Sequence, residues 1–136
     1  MSCPRQVPES AAAVVTVDPA TGAMTGHSLW PAGFNAAGTD KFYSGVLGAD
    51  GAVWLIPRNA DRIVRFDPPS GGITGYDKSA AGVTGGLFSG GTLAVDGSVW
   101  MVPYQAAGPV RVATAGGAAN VTLSANLVMS QHFNKL

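Results

Sequence analysis

Apolar positions fall in short runs along the whole chain. Val14-Val15-Thr16-Val17, Val53-Trp54-Leu55-Ile56, Ile63-Val64-Arg65-Phe66, Val99-Trp100-Met101-Val102 and Val110-Arg111-Val112 are rich in β-branched and aromatic residues, and Pro, Gly or Asp follows each within a few positions. Runs of this length bounded by such residues predict strands. Asp50-Gly51 sits between Gly45-Val46-Leu47 and the Val53 run, and Asp96-Gly97 sits between Gly91-Thr92-Leu93 and the Val99 run. Asp-Gly between apolar runs is a strong hairpin signal. Asp18-Pro19-Ala20-Thr21-Gly22 and Asp67-Pro68-Pro69-Ser70-Gly71 predict turns in which Pro fixes φ and Gly accepts a positive one. No stretch keeps a 3.6-residue period with caps, so no helix is required.

The pattern is written more than once. The stretch from Phe42 to Pro57 recurs 46 residues later, from Phe88 to Pro103, with Phe, Gly, Leu, Asp-Gly, Val-Trp and Pro in register and no gap. The hairpin from Val14 to His27 recurs at an offset of 49, from Ile63 to Tyr76. Repeats of this period mark propellers and solenoids, in which each unit buries its apolar faces against a neighbour. Each unit reads as four antiparallel strands, A to D. Residues 1–10 are expected to be an irregular arm and 11–136 one all-β repeat domain. It divides into a half blade over 13–30, blades over 42–77 and 88–124, and a C-terminal strand over 126–131. The links Pro31 to Lys41 and Asp77 to Gly86 are Gly- and Ala-rich connections.

Composition narrows the function classes. Charged residues are 12% of the chain, well below the roughly 25% of ordinary soluble domains. Eight basic and eight acidic residues leave no net field for nucleic acid or an anionic membrane surface. The single cysteine, Cys3, allows no internal disulfide and no thiolate metal site. The first ten residues lack the apolar core of a signal peptide, and no run approaches the roughly 20 apolar residues of a membrane helix. The expectation is a soluble, cytoplasmic chain, or a piece of a longer protein.

The sequence Asp50-Gly51-Ala52-Val53-Trp54-Leu55-Ile56-Pro57, followed by Arg62-Ile63-Val64-Arg65-Phe66-Asp67-Pro68 and Ile73-Thr74, resembles the blades of NHL and streptogramin-lyase-like β-propellers. The resemblance covers about three quarters of the chain, is best over 42–77, and is specific for the blade rather than for an activity. In the lyase branch it implies a histidine base near the central channel. His27, on an outer strand, and His132, near the C-terminus, are the only histidines, so that chemistry does not carry over. Propellers close with four to eight blades, and two and a half to three cannot close alone. The incomplete ring is therefore expected to close by self-association, most simply as a homodimer, and to serve as a non-enzymatic binding module. The competing readings are a lyase- or lactonase-type enzyme with a site assembled between copies, and a fragment of a larger propeller.

Residues that the repeat does not require are the better site candidates. Lys41 and Tyr43 flank the start of the innermost strand, and Arg58, Asn59 and Asp61 cluster in the B-to-C turn where the sister copy has Tyr104, Gln105 and Ala107. Lys41, Tyr43, Arg58, Asn59 and Tyr104 are thus the candidate surface for a small molecule, glycan or protein. Trp54 and Trp100, equivalent in the repeat, are expected to pack between blades, whereas Trp30 in a loop is the candidate exposed aromatic. Turn chemistry accounts for Asp18, Asp50, Asp67 and Asp96, which do not converge as Ca²⁺ ligands must. Arg65 and Arg111 are expected to be solvated or bonded between blades. No catalytic residue, metal or cofactor is expected: Ser44 and Ser89 lack a nearby His-Asp pattern, and His27 lacks a partner acid. Asn120-Val121-Thr122 matches a glycosylation acceptor.

Overall fold

A computed structural model of the chain describes residues 5–6, 8–81, 83, 87–114 and 120–123. Among the described residues eleven strands form three antiparallel sheets, one per repeat unit. The first sheet holds β1 (Arg5–Gln6), β2 (Val14–Val17) and β3 (Met24–His27). The second is β4 (Phe42–Leu47), β5 (Val53–Pro57), β6 (Arg62–Asp67) and β7 (Gly72–Asp77), in chain order. The third repeats it with β8 (Phe88–Leu93), β9 (Val99–Pro103), β10 (Val110–Ala113) and β11 (Asn120–Leu123).

The hairpin turns use their aspartates twice. Gly51 and Gly97 sit at φ 78° and 82°, a region in which only a residue without Cβ is unstrained. The preceding carboxylate accepts from the backbone N–H two residues on, Ala52 at 3.2 Å and Ser98 at 3.0 Å. Its other oxygen accepts from an arginine on strand C. Arg65 Nε reaches Asp50 at 2.9 Å, and Arg111 Nη2 reaches Asp96 at 3.0 Å. The repeated Arg and Asp thus tie strand C to the A–B turn within each blade.

Two apolar layers hold the sheets together. Val53, Leu55, Val64 and Phe66 of the second blade pack with Val14 of the first and with Phe42 and Ala60. On the opposite face Val46, Trp54, Ile56 and Ile63 meet Phe88, Val99, Met101, Val110 and Val112 of the third. The middle blade is buried on both faces, and β5 is covered along its whole length. Each large side chain so buried contributes roughly 1.5–3 kcal/mol. Strand β8 comes so close that a Cβ on Gly91 would stand 2.7 Å from Ile56 Cδ1 and 2.9 Å from the Trp100 carbonyl.

Two expectations change, and the two links gain detail. Residues 5–6 of the arm form β1, which pairs with β2 in register Arg5↔Thr16 and Gln6↔Val15. The half blade is therefore a three-stranded sheet. Trp30 is half-buried rather than exposed. It stacks 4.7 Å from Phe34, lies 6.1 Å from Phe42, and donates Nε1–H to the Ala12 carbonyl at 2.6 Å. The Pro31 to Lys41 link, with Trp30 before it and Phe34 inside it, thus covers the first apolar layer. The link after β7 begins with a 3₁₀ turn over Lys78–Ala81. The strand expected over 126–131 lies outside the described residues, as do Cys3 and His132. No helix among the described residues is long and apolar enough to cross a membrane.

Candidate functional site

The first element of the site is a pair of bulges. Phe42 pairs with Pro57 but Ser44 pairs with Ile56, which leaves Tyr43 as an extra residue on β4. The same irregularity between Phe88 and Gly90 leaves Ser89 extra on β8. A bulge takes its residue out of the alternation and re-aims the side chain. Tyr43, at 57% exposure, and Ser89 both face solvent in consequence.

The second element is the turn from strand B to strand C. Arg58 N–H and Ala60 N–H donate to the Lys41 carbonyl at 2.8 and 3.1 Å, and Tyr104 N–H and Gln105 N–H donate to the Leu87 carbonyl at 2.8 and 3.0 Å. These bonds pin each turn to the residue preceding its own inner strand. Arg58 and Tyr104 occupy the same repeat position, 46 residues apart, as do Tyr43 and Ser89. Together with Leu87 and Phe88 these four line a cleft of about 200 Å³ at the junction of the second and third blades. Tyr104 is 69% exposed. Arg58 is half-exposed, with one guanidinium nitrogen 3.8 Å from the Glu9 carboxylate, a solvent-facing pair worth little to stability.

Of the five candidates, Tyr43, Arg58 and Tyr104 therefore come together. Lys41 and Asn59 do not join them. They line a separate cavity of about 320 Å³ with Asn35, Gly38, Thr39, Ala60 and Asp61. Lys41 is 2% exposed, and its ammonium donates to the Gly38 carbonyl at 2.7 Å. Burial holds it below the usual lysine range. Lys78 is also pushed down by burial, and nearby Asp61 partly offsets the shift.

The other polar residues settle into structural places. His27 ends β3 on the outer strand of the first blade, 3.1 Å from the Thr16 hydroxyl and with its ring 5.0 Å from Phe66. Trp54 is buried between blades with its ring 5.5 Å from Tyr76, while the equivalent Trp100 is half-buried. Asp18 accepts from Ala20 N–H and the Thr21 hydroxyl within its own turn. Among the described residues no three His, Cys, Asp or Glu side chains gather as a metal site would need. The Asn120-Val121-Thr122 sequence lies in β11, at the edge of its sheet.

Glu9, Leu87 and Phe88 were not among the sequence candidates, and Ser89 was weighed only as a nucleophile. Pro8 stands 49 residues before Pro57, which makes Glu9 the first-blade equivalent of Arg58. Lys41 N–H donates to the Glu9 carbonyl at 2.6 Å, which ties the first turn to the second blade. Glu9, Arg58 and Tyr104 thus form one row across three successive blades. The offset of the prolines was the available signal.

No protein-family model and no curated protein matches the chain. Solved structures do. Virginiamycin B lyase from Staphylococcus aureus superposes with a TM-score of 0.58 at 19% identity, over 87% of this chain and 36% of the lyase chain. A catalytically inactive virginiamycin B lyase from the same organism, with quinupristin, gives 0.56 at 20% identity over 85% and 36%. A streptogramin B lyase structure gives 0.52 at 18% identity over 88% and 36%. The chain spans about a third of the length of each. At this identity the likeness shows the fold, a stack of β-propeller blades.

Proposed function

We propose that this chain is a binding module whose ligand is a small ring-bearing anion held in the Tyr43–Arg58–Tyr104 cleft. The observation that carries the proposal is the composition of the cleft wall: two exposed phenol rings, one guanidinium and the Ser89 hydroxyl around an apolar floor of Leu87 and Phe88. Guanidinium recognises carboxylate or phosphate through paired hydrogen bonds. Tyrosine offers an apolar face and a polar tip for a ring. A volume of about 200 Å³ falls below the roughly 300–1,000 Å³ of drug-sized sites, which favours a single ring with its acid group. Among the described residues that line the wall there is no imidazole and no carboxylate, and retention of a ligand is the reading proposed for it. At 18–20% identity over 36% of their chains, the lyase activity of the fold neighbours is not carried over.

Calorimetric titration with benzoate and phenyl phosphate tests this reading. Binding of at least one probe is expected, weakened about tenfold or more by Arg58→Ala, the loss expected when a charge-assisted hydrogen bond worth about 1.5–3 kcal/mol is removed. Failure of both probes to bind, or equal binding by Arg58→Ala, would contradict it.

A further inference from the structure

The Pro31 to Lys41 link and the B-to-C turn of the second blade form the cavity of about 320 Å³ that Lys41 lines. Backbone bonds fix its shape. Lys41 N–H donates to the Glu9 carbonyl at 2.6 Å, Asn59 N–H to the Asp40 carbonyl at 3.0 Å, and Arg58 and Ala60 N–H to the Lys41 carbonyl. Asp40, at φ 49°, is the one non-glycine residue in the left-handed region among those described. Lys41 follows it and is 2% exposed, whereas Asn35, Thr39, Asn59 and Asp61 around it are exposed. The cavity is thus a bowl with an ammonium in its floor and amides, a hydroxyl and a carboxylate on its rim.

The blade requires neither charge. The equivalents of Lys41 and Asp61 46 residues on are Leu87 and Ala107, and the Leu87 carbonyl accepts from its own turn as the Lys41 carbonyl does. An aliphatic side chain therefore suffices at the Lys41 position. Lys41 instead buries an ammonium whose hydrogen-bond partner among the described residues is the Gly38 carbonyl, at 2.7 Å. An ammonium carries three donors, so the others are left for a ligand. No described carboxylate pairs with it, and burial holds it below the usual lysine range. A buried charge without a counter-charge is costly. Asp61 makes no ion pair with a described residue either, although Lys78 is near enough to feel its charge. Opposite charges line one cavity without joining each other.

We infer that this cavity binds a small free amino acid, with the ligand carboxylate on the Lys41 ammonium in the floor and the ligand ammonium facing Asp61 on the rim. Charge-assisted hydrogen bonds of this kind are roughly twice as strong as neutral ones. The Asn35 and Asn59 amides and the Thr39 hydroxyl line the same cavity and suit a polar side chain. The volume of about 320 Å³ lies at the lower end of the roughly 300–1,000 Å³ of ligand sites, which favours a short side chain. No described residue lines both this cavity and the Tyr43–Arg58–Tyr104 cleft, so either reading can fail without the other.

Titration of the full chain with serine, glycerate and ethanolamine, followed through the side-chain amide NMR signals of Asn35 and Asn59, tests the site. Serine is expected to move both amides along one saturating curve. Glycerate, which lacks the ammonium, and ethanolamine, which lacks the carboxylate, are each expected to bind about tenfold more weakly or worse. Lys41→Leu, which installs the residue of the sister blade, is expected to abolish the serine response and to keep or raise the thermal midpoint, because it removes an uncompensated buried charge. Asp61→Asn, on the exposed rim, is expected to weaken serine to the level of glycerate and to leave glycerate unchanged. Stationary amides with serine, glycerate bound as tightly as serine, or serine binding kept by either variant would overturn the proposal. A lowered midpoint in Lys41→Leu would overturn it as well, since Lys41 would then be a clamp on the link; if that variant does not fold, Asp61→Asn decides alone.

Discussion

Asp96 shows how much one short side chain does here. Its Oδ1 accepts from the Ser98 hydroxyl and from Ser98 N–H at 3.0 Å, and its Oδ2 accepts from Arg111 at 3.0 Å. The Ser98 hydroxyl bond first, then the backbone bond and Arg111, hold the carboxyl well below the usual aspartate range. Asp18 is lowered by the Ala20 backbone bond and Thr21, and Asp77 by Ser79. A carboxyl lowered in the folded state contributes stability that is present above its unfolded value, about 3.9, and is lost as pH falls through the folded one. The thermal midpoint is therefore expected to fall as the solution is taken from about pH 5 to about pH 2. Asp96→Asn should flatten that fall, while lowering the midpoint at neutral pH through loss of the bond to Arg111. Parallel pH profiles for the variant and the wild type would count against this assignment.

At the scale of the element, close approach of sheets is the decisive constraint. Gly91 on β8 faces Ile56 and Val46 across the junction and the Trp100 carbonyl of its own sheet, so Gly91→Ala must displace the end of the Ile56 side chain and crowd that carbonyl. Overpacking of this kind costs about 1–3 kcal/mol, to be read as a shift in the denaturant midpoint without loss of sheet. A near-neutral result would mean that the strands are not so close. The hairpins were legible because each depends on local chemistry that the chain spells out: Asp-Gly or Asp-Pro-x-x-Gly between β-branched runs. Strand β1 was not. Its two residues, Arg5 and Gln6, carry no strand pattern, and pairing with β2 alone makes them a strand. Trp30 and Phe34 were missed for a related reason, since their cover over Phe42 depends on how the link folds back. The bulges at Tyr43 and Ser89 leave no local sign either, yet they set the direction of half the cleft. Sequence placed Tyr43, Arg58 and Tyr104 among the candidates because they break the repeat. It could not separate them from Lys41 and Asn59, because that separation follows from how the Pro31 to Lys41 link folds: Lys41 is buried there, and Asn59 lines the second cavity with Asn35, Gly38 and Thr39 of the link.

At the scale of the molecule, the blades act as a ruler. Two positions recur on one face with different identities: Glu9, Arg58 and Tyr104 in the B-to-C turns, and Tyr43 and Ser89 at the bulges of the second and third blades. A scaffold that repeats its core and varies these positions can hold a ligand at the seam between blades without disturbing either layer. The three tyrosines make the cleft directly observable. Tyr43 and Tyr104 stand in its wall, and Tyr76 packs on Trp54 inside the junction, as an internal control. Titration of phenyl phosphate into protein carrying ¹³C-labelled tyrosine rings should move the Tyr43 and Tyr104 signals together along one saturating curve and leave Tyr76 in place. Stationary signals for both residues, or movement of Tyr76 alone, would contradict the account.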